Sequence, residues 1–160
     1  MAWVKGEISG VIIKTLIKHL DIRGYLVETY RDDELPADLR PKMSYVSFTE
    51  PGICRGPHEH KGQTDIFTFI GPGNFYLKLW DNRKQSKTYG NYMEMYVGKD
   101  NPSTIIIPPG VIHGYKNISK IERGMVINYP DQLYMGWNKS EPVDEIRHED
   151  ERVSEFKLGD

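Results

Sequence analysis

Four side chains that could do chemistry lie in two short segments of the chain. The first segment contains His58, His60 and Asp65, and a later one contains His113. If the first segment is extended, His58 and His60 project to the same face, because side chains in a strand alternate with period two. Three imidazoles and one carboxylate can ligate a mid-series divalent metal. They can also transfer protons near neutral pH, with the carboxylate orienting an imidazole.

A scaffold of short strands must position these residues. In residues 74–81, Phe75, Leu77 and Leu79 alternate with more polar side chains, which is typical of a half-buried strand. Gly-Pro-Gly at 71–73 predicts a turn before it, because glycine permits positive φ and proline fixes its own φ. Many short strands with no strong helical period favour a sandwich or barrel. The predicted strands are residues 42–49, 64–70, 74–81, 91–97, 103–107 and 124–128.

Length and charge narrow the classes of protein. A chain of 160 residues with a formal charge of −2 fits one domain and lacks the basic surface that nucleic-acid binding requires. A single cysteine, Cys54, cannot form an internal disulfide, and no apolar run is long enough to span a bilayer. We therefore expect a cytoplasmic protein that binds neither nucleic acid nor membrane. Its domain covers residues 1–140, and residues 141–160 form a charged tail or short helix.

Both histidine segments resemble the paired signatures of the cupin superfamily. Gly52, His58 and His60 keep the spacing of the first signature. Asp65 stands where that signature has a glutamate. The resemblance implies an all-β, cupin-type jelly-roll barrel with the three histidines and Asp65 facing its interior. The residues that match the second signature are Pro108, Gly110, His113 and Asn117.

A narrower resemblance covers most of the chain and is to the dTDP-4-dehydrorhamnose 3,5-epimerase family. It implies a homodimeric, cofactor-free epimerase or isomerase of polysaccharide biosynthesis. Such an enzyme acts on a 4-keto-6-deoxy nucleotide sugar by removing a proton next to the ketone. The blocks that carry the resemblance are residues 21–28, 52–58, 80–83, 86–90 and 107–115.

The same resemblance implies roles for individual residues. His58 occupies the position of the base, and Tyr134 or Tyr129 is expected to serve as the acid. Among the candidate site residues, the basic side chains outnumber the acidic ones, and such an excess of positive charge would suit a sugar diphosphate. The residues expected to contact the substrate are Arg23, Glu28, Arg55, His60, Gln63, Asp65 and His113.

Three positions depart from the family pattern and keep two alternatives open. His60 replaces a glutamine, Asp65 a lysine and Asn128 a tyrosine. The first alternative is a metal-dependent cupin in which His58, His60, Asp65 and His113 hold zinc, iron, manganese or nickel. The second is a sugar-binding barrel without catalysis. The family's carboxylate that orients the base has no counterpart in this shorter chain, which leaves Asp65 or Asp144 as candidates.

Overall fold

The structure, a computed structural model, describes residues 2–159. Within that range the chain forms thirteen strands and two single turns of 3₁₀ helix, Asp32–Glu34 and Trp137–Lys139. The strands are β1 (Val4–Lys5), β2 (Ile12–Thr15), β3 (His19–Asp21), β4 (Gly24–Leu26), β5 (Tyr45–Thr49), β6 (Cys54–Glu59), β7 (Asp65–Phe69), β8 (Asn74–Asp81), β9 (Asn91–Gly98), β10 (Ser103–Ile107), β11 (Val111–Asn117), β12 (Gly124–Asn128) and β13 (Ile146–Arg147).

Two sheets make up the body of the fold. One has six strands in the order β1-β9-β8-β11-β6-β13, and the other has five in the order β2-β10-β7-β12-β5. All neighbouring strands are antiparallel except β1 and β9. The hairpin β3-β4 lies outside both sheets. The predicted all-β architecture is therefore confirmed.

Aromatic and aliphatic side chains from both sheets fill the space between them. Phe67 and Phe69 of β7 pack in one cluster with Phe75, Leu77 and Leu79 of β8. The predicted alternation in β8 is confirmed, because these last three side chains are fully buried. Burying one such side chain stabilises the fold by about 1.5–3 kcal/mol.

The strand register brings the two histidine segments together. His113 of β11 pairs directly with His58 of β6, and Asp65 begins β7 in the facing sheet. Gly56 permits this approach: its φ is +76°, and a Cβ there would lie 2.6 Å from the carbonyl oxygen of His113. A side chain at position 56 would therefore push β6 away from β11.

The C-terminal segment differs from the predicted tail or short helix. Within the described part of 141–160, β13 pairs with β6 instead, and no helix forms. Phe156 and Leu158 are buried against Trp80 and Ile112 of the six-stranded sheet. The run of charges dominates the sequence of this segment, but these two apolar residues and one free strand edge decide how it packs.

The turn after β8 is built by two of the blocks that carry the family resemblance, residues 80–83 and 86–90, around the buried carboxylate of Asp81. The Asp81 carboxylate accepts hydrogen bonds from Arg83 Nε (2.8 Å), Ser86 Oγ (2.6 Å) and Thr88 Oγ1 (2.6 Å). Arg83 also donates to the carbonyl oxygen of Ser9 at 2.7 Å. These blocks therefore hold the turn against the N-terminal segment and do not line the cavity described below.

A search of residues 2–159 for a helix long and apolar enough to cross a membrane finds none.

Candidate active site

The four residues singled out by the sequence converge at the open end of the barrel. One potential ligand atom from each of His58, His60, Asp65 and His113 lies within 4.8 Å of the others. Nε2 of His60 and Nε2 of His113 approach the same oxygen, Asp65 Oδ2, at 3.0 and 3.1 Å. Asp65 and His113 are almost completely buried. The predicted convergence on the barrel interior is thus what the structure shows.

Backbone carbonyls fix the orientation of two of the rings. His113 Nδ1 donates to the carbonyl oxygen of Val111 at 3.0 Å, and His60 Nδ1 contacts the carbonyl oxygen of Asp144. A carbonyl oxygen only accepts hydrogen bonds, so each Nδ1 carries its hydrogen. In both rings the remaining nitrogen, Nε2, faces Asp65.

Only one of the two carboxylate oxygens of Asp65 accepts hydrogen bonds. Its Oδ1 accepts hydrogen bonds from Gln63 Nε2 at 2.9 Å and Asn128 Nδ2 at 2.8 Å. Among residues 2–159, its Oδ2 and the Nε2 of His113 have no hydrogen-bond partner, although they lie 3.1 Å apart. Two unpartnered polar atoms in one buried place are uncommon in folded proteins, so this position is a candidate functional site.

The two histidines of the His-x-His motif differ in protonation. Burial, with the neighbouring His113, lowers the pKa of His58, so its imidazole is neutral at neutral pH. Burial also opposes protonation of His60, but the carboxylate of Asp65 outweighs it and raises the pKa of His60 to about 9. Burial disfavours the charged form of Asp65 too, yet the two adjacent rings, His113 and His60, lower its pKa. The site therefore places a neutral base beside a charged pair.

Carboxylates of the C-terminal segment flank His58. Glu145 Oε1 lies 3.5 Å and Glu149 Oε2 lies 3.9 Å from His58 Nδ1. Sequence reasoning missed both residues, because one charge in a run of charges carries no positional signal. Either carboxylate can stabilise a positive charge on this ring.

Asp144, which the sequence offered as a candidate for orienting the base, instead binds the backbone of the loop after β6. Its carboxylate accepts hydrogen bonds at 2.9 Å from the backbone N–H groups of Lys61, Gly62 and Gln63. Burial opposes ionisation of Asp144, but these three donors outweigh it and lower its pKa. The residue thereby ties the C-terminal segment to the loop that carries His60.

A cavity of about 740 Å³ opens above the cluster. Its size is within the range of small-molecule sites. His58 and His60 lie on its wall, as do two tyrosines, Tyr45 and Tyr134. Most of the remaining wall comes from the segment that follows β12. Further lining residues are Met43, Gln63, Leu133, Trp137, Lys139, Glu141, Asp144, Glu145 and Arg147.

Other residues expected at the site do not line this cavity. Arg23, on the exposed β3-β4 hairpin, pairs with Asp21, and Glu28 pairs with Arg31. Arg55 donates to Thr49 Oγ1 and to the carbonyl oxygen of Phe48. These contacts keep all three away from the cluster in a single chain.

Tyr129 also lies off the cavity wall. Its hydroxyl bonds to Thr29 Oγ1 at 2.8 Å, and its ring stacks on Tyr30. Tyr129 follows Asn128, and adjacent residues on an extended chain point to opposite faces. Asn128 therefore faces the cluster and Tyr129 faces away from it.

The charge of the cavity differs from the basic excess expected from the sequence. Besides the histidines, its wall carries two cations, Lys139 and Arg147, and three carboxylates, Glu141, Asp144 and Glu145. The expected excess counted arginines that fold elsewhere. Within one chain, the end of the cavity nearest the C-terminal segment is therefore not a strong anion site.

The cluster also fits a divalent metal. Neighbouring ligand atoms around an octahedral ion at 2.0–2.1 Å are about 3.0 Å apart, close to the two separations at Asp65 Oδ2. The hydrogen bonds from Nδ1 of His60 and His113 to carbonyl oxygens are the usual support for metal-ligating histidines. His58, His60, Asp65 and His113 could thus hold either an ion or a proton.

Comparison with known proteins agrees with this picture. A relative from Haloferax volcanii, the probable low-salt glycan biosynthesis epimerase Agl13, is 37% identical over 129 residues, covering 80% of this chain and 81% of the relative. The spore coat polysaccharide biosynthesis protein SpsL of Bacillus subtilis is 36% identical over 141 residues, covering 82% and 91%.

Solved structures confirm the jelly-roll fold. A dTDP sugar isomerase from Desulfovibrio desulfuricans G20 superimposes with a TM-score of 0.79 at 22% identity, covering 94% of this chain and 92% of that chain. The sequence profile of the dTDP-4-dehydrorhamnose 3,5-epimerases matches residues 5–152. With that match and relatives more than 30% identical over four fifths of its length, the chain belongs to the dTDP-4-dehydrorhamnose 3,5-epimerase family.

Proposed function

We propose that the protein is an isomerase that epimerises a 4-keto-6-deoxy nucleotide sugar, with His58 as the base. The observation that carries the proposal is the position of the His58 ring, on the wall of the cavity and beside the His60–Asp65 pair. The named relatives are a probable glycan epimerase and a spore coat polysaccharide protein. Polysaccharide biosynthesis is the corresponding role for this chain.

The chemistry uses side chains alone. A ketone acidifies the adjacent C–H bond, so a neutral imidazole in hydrogen-bond reach can take that proton. The electrons move to the ketone oxygen, where a donor must stabilise the negative charge. Protonated His60 is the donor that the cluster offers, and Asp65 keeps it protonated. This part of the proposal needs no cofactor.

A homodimer is part of the proposal. The β3-β4 hairpin and the segment before it expose Ile17, Leu20, Ile22 and Leu26 to solvent. Exposed apolar side chains clustered on one element are typical of an interface. A second copy of the chain that covers this hairpin could receive Arg23 from it. That arrangement would add a cation to a cavity that has few of its own.

Solvent isotope exchange tests the proposal. Incubated in D₂O with a dTDP-4-keto-6-deoxy sugar, the wild-type protein should exchange the hydrogen next to the ketone, as mass spectrometry would detect. The His58→Asn variant should lose at least about 100-fold of that rate, which is the usual contribution of a general base. Lys120→Asn, in the exposed loop between β11 and β12 and away from the cavity, is the control and should keep the wild-type rate. Binding of the sugar with no exchange by the wild type would instead identify a non-catalytic barrel.

The unpartnered atoms Asp65 Oδ2 and His113 Nε2 favour a second candidate, a metal-dependent enzyme of the same fold. His58, His60, Asp65 and His113 would hold the ion, which when bound polarises a substrate carbonyl. Elemental analysis of the purified protein distinguishes the candidates. One equivalent of zinc, iron, manganese or nickel, lost in both His60→Gln and Asp65→Asn, supports the metal enzyme. Full isotope exchange by chelator-treated, metal-free protein rejects it.

A further inference from the structure

Epimerisation needs two protein groups on opposite sides of the substrate carbon. If His58 removes a proton and returns it, the carbon keeps its configuration and only isotope exchange results. Inversion requires a donor that reaches the carbon from the other face. That donor must be a side chain across the cavity from His58 that has a proton to give.

Tyr45 lies on the opposite sheet. His58 belongs to β6 of the six-stranded sheet, whereas Tyr45 begins β5 of the five-stranded sheet. Both side chains line the same cavity. Along β5, Ser47 and Thr49 bond inward to Tyr115 and Arg55, so Tyr45 shares their inward face.

The hydrogen bonds of Asn128 leave the phenolic proton of Tyr45 unused. Asn128 Oδ1 accepts the backbone N–H of Ile66 at 3.0 Å, which fixes which way the amide points. Its Nδ2 then donates to Tyr45 Oη at 3.0 Å and to Asp65 Oδ1 at 2.8 Å. Tyr45 Oη is therefore an acceptor in this pair. No other hydrogen bond to that hydroxyl exists in the range 2–159, so its own hydrogen can point into the cavity.

The other tyrosines near the barrel interior are less suited. Tyr129 Oη is bonded to Thr29 away from the cavity, and Tyr115 Oη is bonded to Ser47. Tyr134 lies on the wall and is 53% exposed, against 43% for Tyr45, and among residues 2–159 its hydroxyl has no hydrogen bond that ties it to the cluster, as Asn128 ties Tyr45. Burial raises the pKa of Tyr45, with the Asn128 hydrogen bond opposing it, so its phenol is protonated at neutral pH.

We propose that Tyr45 is the catalytic acid that delivers a proton to the substrate carbon on the face opposite His58. This inference rests on the proposed function. His58 breaks the C–H bond and becomes an imidazolium, and the bonding pair moves into the enolate. The enolate carbon then forms a new C–H bond with the hydrogen of Tyr45, which becomes a tyrosinate. Proton exchange with solvent neutralises both residues before the next turnover.

The ratio of inversion to exchange tests this assignment. In D₂O the Tyr45→Phe variant should keep exchange within about threefold of wild type, since His58 is intact. Its formation of the inverted sugar, followed by NMR, should fall by about 100-fold or more. Tyr96→Phe, exposed on β9 and not on the wall of this cavity, is the matched control and should keep both rates. A Tyr45→Phe variant that inverts the sugar at the wild-type ratio overturns the assignment, whereas a wild type that never exchanges overturns the proposed function instead.

A second replacement keeps the test decisive if Tyr45→Phe does not fold. 3-Fluorotyrosine at position 45 preserves the ring and the hydroxyl but lowers the pKa of the phenol. The alkaline limb of the pH profile for inversion should then move to lower pH, while the exchange profile stays unchanged. An unchanged inversion profile would show that Tyr45 does not supply the proton.

Discussion

Replacing Asp81 by asparagine should destabilise the protein by an amount that depends on pH. The Asp81 carboxylate is fully buried and accepts hydrogen bonds from Arg83, Ser86 and Thr88. Burial opposes ionisation, but these donors outweigh it and lower the pKa of Asp81 from 3.8 to about 2. Asparagine has nearly the same shape, but it carries no charge and presents two hydrogens to groups that are themselves donors.

The magnitude follows from the difference between the folded and unfolded pKa. A lowering from 3.8 to about 2 corresponds to about 2.5 kcal/mol of stability, since one pKa unit is worth about 1.4 kcal/mol. Because the folded pKa is depressed, this contribution is fully present above the unfolded pKa and is lost as pH falls through the folded pKa. It should shrink by about 1 kcal/mol between pH 6 and pH 3.

Urea denaturation of wild type and Asp81→Asn at both pH values measures the effect. The variant should be less stable by about 2.5 kcal/mol at pH 6, and this gap should narrow by about 1 kcal/mol at pH 3. Taking the difference between the two proteins removes the contribution of other titrating groups. A difference in stability below about 0.5 kcal/mol at pH 6, which is close to the error of urea extrapolation, would refute the reasoning. A difference that stays constant down to pH 3 would refute it as well.

Two further substitutions test the docking of the C-terminal segment, and a third tests the proposed dimer interface. Phe156→Ala should lower the free energy of unfolding, measured in urea, by about 3 kcal/mol, because the buried ring packs against Trp80. Val153→Ala, at an exposed position of the same segment, is the control and should leave it almost unchanged. Equal losses in the two variants would contradict the docking of the C-terminal segment. Asp144→Ala should cost about 2 kcal/mol by the same assay, since three backbone donors lose their acceptor, and an unchanged midpoint would contradict this. Leu20→Lys on the exposed hairpin should shift sedimentation equilibrium from dimer to monomer, with Val153→Lys as the control, and a dimer that persists would place the interface elsewhere.

The strands and turns were predictable where the local sequence pattern matched the burial that each residue has in the fold. The alternation in β8 and the Gly-Pro-Gly turn before it require only period two and positive φ, and both are present. β6 and β11 are harder to recognise, because glycine and proline interrupt one and histidine and glycine the other. β13 has two residues and forms only because the edge of β6 lies next to it.

The chemistry of the site was only partly predictable. Strand period alone predicted that His58 and His60 share a face, and the resemblance of the two histidine segments to the paired cupin signatures implied that Asp65 and His113 join them, as the structure shows. Tyr45 and Glu145 gave no such signal. Tyr45 reaches the cluster through its register with Asn128, and Glu145 reaches it through docking of the C-terminal segment.

The sequence by itself determined the all-β architecture, because strand alternation and turn residues act over short distances. Its motifs, through their resemblance to a known family, also indicated the family and the four residues that meet in the barrel. Only the tertiary structure decided which groups surround them. It turned Tyr129 away, placed Tyr45 across the cavity from His58 and set Glu145 beside that ring. Each of these contacts joins residues far apart in the chain, and strand register and edge pairing, which local sequence does not encode, select them.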